Sequence, residues 1–394
     1  MKMKRLLLAL VSATAITASC TSCDSLFLFI DANEYVPFKD TQNSIFFALY
    51  NYYGYEGQHF TNKWLGMRDA LEEHGITVTG WEGEKDADEY IPEMLEYLID
   101  NNYTEISEGA RIIDVKESTD KKEMPPVILI KSDGGVLYDT TELATLYSRA
   151  KRYDFDSIFY FTDIRQELHF IQAFRAAKKC NLVDNDINLE WFGFGTMNGP
   201  DGKPFKTRDG GVMSLRGLID LVKCETKKII KDNILDSEKD ELAETLAIAA
   251  IKYADMLPNR TTDYLFDPIK FSDINTGPYL LYSTVRMKSL LNKGKDISTN
   301  QYHNINNKEE REIILNLINL SNVIEKSYKS RTLNEICEYL YKLTNSYNAF
   351  YSNHEVLTEK DETIKESYLA LTKLVENTNK YLLNILAIKV PDKI

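Results

Sequence analysis

The residues best suited to chemistry in this 394-residue chain include two lysines, Lys203 and Lys206, in a Gly-flanked stretch (NGPDGKPFKTRDGG, residues 198–211). Two ammonium groups on such a loop can close over phosphate oxygens and stabilise negative charge as a leaving group departs. A solvated basic turn is the alternative that a lone Lys-Pro-Phe-Lys-Thr-Arg does not exclude. Gln166 and His169 stand three apart in a helical pattern and would face one cleft. Taken alone, Tyr138 reads as a packed aromatic and Glu142 as an acid favoured by the dipole at a helix start. Cys20 and Cys23 form a Cys-x-x-Cys, but no second such pair or His pair completes a zinc site. No protein-bound metal is therefore expected. Five cysteines are too few for a disulfide scaffold, and Cys180, Cys224 and Cys337 read as single thiols.

Those residues need elements to hold them. Val127-Ile128-Leu129-Ile130 predicts a short buried strand, Asp133-Gly134-Gly135 a tight turn, and Val136-Leu137-Tyr138 a resumed strand. Thr140 or Thr141 then caps a helix through about Tyr153. Residues 157–161 (SIFYF) predict another strand, 165–179 a helix and 189–194 (LEWFGF) a third strand. That alternation is the pattern of a parallel doubly wound sheet, with ligands at the carboxyl ends of its strands. Upstream, helices are predicted over 44–53, 61–75 and 89–101; the last places Ile91, Met94, Leu95 and Leu98 on one face. From residue 213 the pattern is nearly all helical, over roughly 214–231, 238–256, 277–292, 307–327, 331–350 and 362–386. No internal repeat is present.

Composition narrows the class. Hydrophobic residues at 43% and charged residues at 27% describe a globular chain, long enough for two or three domains. The net charge of -13 argues against a nucleic-acid partner until its distribution is read. Residues 71–120 hold 15 acidic and 3 basic side chains, a net of -12, so the rest of the chain is close to neutral. The patch reads as the solvated faces of helices. Residues 1–23 look like an export signal, with Lys2, Lys4 and Arg5 before an apolar stretch, Leu6 to Ala18, too short to span a bilayer. Thr17-Ala18-Ser19-Cys20 loosely resembles a lipoprotein cleavage box but lacks its usual Leu. The alternatives are a first helix or strand of a cytosolic domain, or a misplaced start.

Several ordered motifs resemble those of arginyl-tRNA synthetases. They are Ile130 to Thr141 (IKSDGGVLYDTT), Asp163 to Phe170 (DIRQELHF), and Gly193 to Gly199 with Asp201 to Arg208, close to the family's variant of the KMSKS loop. Lys252 to Asp255, Asn259 to Asp267, Asn275 to Tyr279, Cys337 to Tyr341 and the ending Val390-Pro391-Asp392 follow in order. The resemblance is collinear over roughly 61–394. It implies that Tyr138, Glu142 and Gln166 bind arginine, that Lys206, supported by Lys203, is the catalytic lysine of the loop, and that His169 lies near ATP. A carboxylate, a flat aromatic face and an amide are the groups a guanidinium fork requires. Where the family has Asp this chain has Glu142; the extra methylene moves the carboxylate and is expected to weaken arginine selection. The C-terminal helices resemble the family's anticodon-binding bundle. Residues 301–394 hold 12 basic and 13 acidic side chains, so base stacking by Tyr347 and Tyr351, with Asn348, is expected to outweigh a basic field; the alternative is that Tyr347 and Phe350, three apart, belong to the bundle core.

One signature is missing. The family's ATP site also needs a His-x-Gly-His, and the five histidines, His59, His74, His169, His303 and His354, cannot form one. The add-on domain that contacts the tRNA elbow has no counterpart either. The fold expected is α/β then all-α: a partial doubly wound parallel nucleotide-binding sheet followed by an α-helical anticodon-binding bundle. The expected divisions are 1–23 signal-like, 24–60 unassigned, 61–212 partial catalytic domain, 213–276 helical connector and 277–394 anticodon-binding domain. The resemblance implies ATP, with Mg as its counter-ion, arginine and tRNA(Arg) as partners of a cytoplasmic, N-terminally incomplete ligase. It would act as a monomer or with a complementing N-terminal chain, and would be impaired alone. The alternatives are a non-catalytic tRNA-binding paralogue and an exported, lipid-anchored protein on the same scaffold.

Overall fold

The computed structural model describes residues 25–30, 44–50, 77–78, 84–198, 202, 215–230, 234–265, 276–299 and 302–394, the first three segments by their backbone. The signal-like segment, the helix expected over 61–75, and Lys203 and Lys206 lie outside the described residues. The chain forms two compact units, one within Thr21–Gly195 and one within Thr196–Ile394. The class is α/β followed by all-α. No helix among the described residues is long and apolar enough to cross a membrane.

In the first unit, strands β1 (Ser25–Ile30), β2 (Ser44–Tyr50), β3 (Thr77–Val78), β7 (Ser157–Asp163) and β8 (Asn188–Phe194) form a sheet in the order β3-β2-β1-β7-β8. β7 and β8 are parallel, with Ser157 opposite Asn188 and Asp163 opposite Phe194, and β1 runs antiparallel to both its neighbours. Ile158 to Phe161 are all buried, so both faces of β7 are covered and its sequence is a continuous apolar run. The core joins Met94 and Leu98 of helix α2 (Ile91–Asp100), which follows the short α1 (Glu84–Ala87), to Leu143 and Leu146 of α3 (Tyr138–Arg152) and Phe170, Ala173 and Ala177 of α4 (Glu167–Lys179).

Three expectations are corrected here. Residues 44–50 pair as a strand and do not form a helix, in keeping with their β-branched and aromatic content. Val127–Ile130 (β6) lies outside the parallel sheet, in a separate antiparallel sheet with β4 (Glu105–Ser107) and β5 (Ala110–Ile113). Its Val127 and Leu129 are more deeply buried than Ile128 and Ile130, the alternation of a strand covered chiefly on one face. Val136 makes one antiparallel bridge to Ile130 and the strand does not resume, because helix α3 already begins at Tyr138.

Among its described residues, the second unit is helical apart from a two-residue parallel ladder between β9 (Met197–Asn198) and β10 (Tyr264–Leu265). Helices α5 (Leu215–Lys227) and α6 (Asp236–Met256) pack through Leu218, Val222, Ala247 and Ala250. Helices α7 (Gly277–Lys293), α8 (Lys308–Ile318), α9 (Leu320–Ser330), α10 (Asn334–Asn353) and α11 (Glu362–Ile385) share a second core with α6, built on Leu280, Leu281, Leu340, Leu343, Phe350 and Leu382. The single helix expected over 307–327 is two, because Asn319 takes ψ near zero, closing α8 and opening α9. Gly277 is required where α7 starts: a Cβ there would lie 2.2 Å from the carbonyl oxygen of Ala249 on α6.

Candidate functional site

The site in the first unit is built where β6 hands over to α3. Asp133 accepts a hydrogen bond from the amide of Gly135 at 2.9 Å, and Gly134 takes φ +88°, so the chain reverses tightly. Leu137 is extended, and its carbonyl accepts from the amides of Thr140 and Thr141, which starts α3 without a side-chain cap. The expected cap from Thr140 or Thr141 is therefore corrected. Thr140 instead donates its hydroxyl to the Leu129 carbonyl at 2.6 Å, pinning the helix start to the strand end.

Tyr138 opens α3 and is 48% exposed. Glu142, one turn on, is 4% exposed. Its Oε1 is buried and has no hydrogen-bond partner among the described residues, and the carboxyl group accepts from the Tyr160 hydroxyl. Burial pushes this carboxyl above the usual carboxylate range; the charges of His169 and Arg149 and the Tyr160 hydrogen bond pull it partly back. Tyr160, buried in β7, also accepts from Arg149 Nη1 at 3.4 Å. A buried carboxylate with one oxygen lacking a donor suits a cation that brings its own N–H groups.

The opposite wall comes from the carboxyl end of β7. Asp163 accepts from the amide of Arg165 at 2.8 Å, turning the chain into a single 3-10 turn, Ile164–Gln166. Gln166, half-buried, precedes α4, and His169 lies in that helix's first turn. His169 Nδ1 meets Asp139 Oδ1 at 2.6 Å. The fold thus gathers Asp139, Glu142, Tyr160 and His169, and puts Tyr138 and Gln166 at the two adjoining helix starts. Sequence reasoning missed Asp139, Tyr160 and Arg149. Asp139-x-x-Glu142 at helical spacing was the available signal for the first.

In the second unit the three base-binding candidates separate. Tyr347 is fully buried, its hydroxyl hydrogen-bonded to Thr372 at 3.0 Å, and burial pushes its phenol far up. Its ring belongs to the bundle core, so the stacking role expected of it is corrected. Tyr351 keeps a partly exposed ring, with the Arg286 guanidinium 5.5 Å from its centroid. Asn348 is half-buried and donates to Tyr279 at 2.7 Å and Ser283 at 2.9 Å. Among the described residues, no group of three His, Cys, Asp or Glu side chains could hold a metal ion.

Comparison with known proteins matches residues 66–268 to the family model described as tRNA synthetases class I (R), catalytic domain, and residues 280–394 to the DALR anticodon binding domain. An arginine–tRNA ligase of Agathobacter rectalis is 42% identical over 79% of this chain and 55% of its own length. One from Alkaliphilus oremlandii is 41% identical over 85% of this chain and 59% of its own. The chain thus spans little more than half the length of these relatives. The Thermus thermophilus arginyl-tRNA synthetase structure shares the fold at a TM-score of 0.70 and 17% identity, over 86% of this chain and 64% of that one. That of Plasmodium falciparum does so at 0.68 and 24%, over 86% and 60%.

Proposed function

The chain belongs to the class I arginyl-tRNA synthetase family, and from that premise we propose that it is an arginine–tRNA ligase-like protein whose first unit recognises arginine and whose C-terminal helices meet tRNA. The observation that carries this reading is Glu142: a buried carboxylate with an oxygen lacking a donor, one turn from an exposed tyrosine. Guanidinium fills that acceptor with charge-assisted hydrogen bonds, and Tyr138 offers it a flat face. Gln166 supplies an amide from the facing helix start. ATP, with Mg²⁺ as counter-ion, binds beside arginine near His169. Lys206, with Lys203, neutralises the phosphates as an arginine carboxylate oxygen attacks the α-phosphorus of ATP and pyrophosphate leaves; a hydroxyl at the tRNA 3′ end then attacks the arginyl carbonyl, forming an ester and releasing AMP. The divisions proposed are a catalytic segment over 61–212, a connector over 213–276 and an anticodon-binding domain over 277–394, in which Tyr351 and Asn348 meet unpaired bases. The protein works in the cytoplasm, where ATP and tRNA are found, as a monomer or with a complementing chain.

The sequence contains no His-x-Gly-His, and that motif stabilises the adenylation transition state in the family. We therefore expect arginine-dependent ATP–pyrophosphate exchange by this chain to lie orders of magnitude below that of the relatives. Exchange at a rate matching theirs would overturn that expectation. The match of residues 280–394 to the DALR anticodon binding domain also supports a second reading, a non-catalytic tRNA-binding paralogue. It requires micromolar or tighter binding of an arginine tRNA that weakens when the anticodon is changed.

A further inference from the structure

We propose that Asp139 is a positioning residue of the arginine site, holding His169 in one tautomer and tying the two helix starts that carry the pocket's walls. This rests on the reading of Tyr138, Glu142 and Gln166 given above. Asp139 is the second residue of α3, between Tyr138 and Glu142. His169 is the third residue of α4, just past Gln166. Their contact, 2.6 Å between Nδ1 and Oδ1, joins these first turns, and both side chains are only 27% exposed. A carboxylate only accepts hydrogen bonds, so Nδ1 must carry the proton, and Nε2 is the nitrogen with which the ring meets any further group.

The surroundings make this orientation matter. Glu142, on the same helix, neighbours His169 and Arg149 and accepts from the hydroxyl of Tyr160. The His169 ring also packs edge-on against Phe170, with centroids 4.9 Å apart, which limits its rotation. The Asp139–His169 contact therefore sets two quantities at once: the span between the two helix starts, and the tautomer of the imidazole. Gln166 sits on a short 3-10 turn rather than in the body of α4, so its position depends on what holds that turn.

The experiment uses the full chain with ¹⁵N-labelled histidine, the His169 signal being assigned with His169→Gln. Long-range ¹H–¹⁵N spectra report the tautomer, and calorimetry with L-arginine reports affinity. Wild type and Asp139→Asn, which keeps an acceptor oxygen, are expected to hold the Nδ1-protonated tautomer. Asp139→Ala is expected to lose it and to bind arginine about tenfold more weakly, or worse, with Asn restoring part of the affinity. A merely structural residue would lower Tm without changing the tautomer. The proposal fails if Asp139→Ala keeps the wild-type tautomer, or if it binds arginine as wild type does. Absence of any arginine binding by the wild-type chain removes the reading of the site itself, and the role of Asp139 with it.

Discussion

Glu142 is the residue on which the site's character turns, because its carboxyl group is buried with one oxygen that has no hydrogen-bond partner among the described residues. Its raised titration has a definite sign. A carboxyl that holds its proton more tightly when folded adds stability below the ordinary carboxylate range and loses it as pH rises. Glu142→Gln is therefore expected to raise thermal stability at pH 8, by about 1–3 kcal/mol, with little effect at pH 4. Thermal unfolding at the two pH values checks this; an equal gain at both would contradict it. In the second unit, Tyr351→Ala is expected to weaken tRNA binding by about 1–3 kcal/mol, whereas Tyr347→Ala should act mainly on stability. Filter binding beside a melting curve separates the two. Tyr138, Glu142 and Gln166 could be picked out only through family resemblance, since each alone has a bland role. Arg149 and Tyr160 were not legible, because their meaning arises only when β7 packs on α3.

Among the elements, α6 anchors the second unit and carries the buried Lys252 and the partly buried Asp255. Tyr264 of β10 donates to Asp255 at 2.9 Å, and Lys252 donates to the Ala387 carbonyl at 2.5 Å. Burial pushes the Asp255 carboxyl from 3.8 up to about 7 and the Lys252 ammonium down to about 8. For Asp255 the folded state holds the extra proton, so its contribution is present below about pH 4 and is lost as pH rises to about 7. Asp255→Asn should flatten that part of the stability profile and stabilise the chain at pH 8 relative to pH 5. Denaturant titrations across this range would show it; an unchanged slope would count against it. Gly277→Ala forces α7 away from Ala249 and should cost about 1–3 kcal/mol, read as a lower Tm. Helices α2, α4, α6, α7, α10 and α11 were legible from apolar periodicity. The break at Asn319 was not, because a change of one ψ angle leaves that periodicity intact. Nor was the antiparallel pairing of β6, since a four-residue apolar run fits either kind of sheet.

For the whole molecule, the informative number is the distribution of charge. The net of -13 is nearly all carried by residues 71–120, and the C-terminal 94 residues are close to neutral. Binding of tRNA should therefore show a shallow dependence on salt; a steep slope would mean that phosphate contacts dominate. The α/β then all-α order was readable from the switch in periodicity near residue 213, and the family from collinear motifs. The central claim is that the starts of α3 and α4 form a site for a guanidinium group. Its most direct test is calorimetric titration of the full chain with L-arginine and with L-citrulline, whose urea group has nearly the same shape but no charge. The account predicts that arginine binds and citrulline binds at least about tenfold more weakly, and that Glu142→Gln erases the difference. Equal binding of the two, or a preference that survives Glu142→Gln, would contradict it.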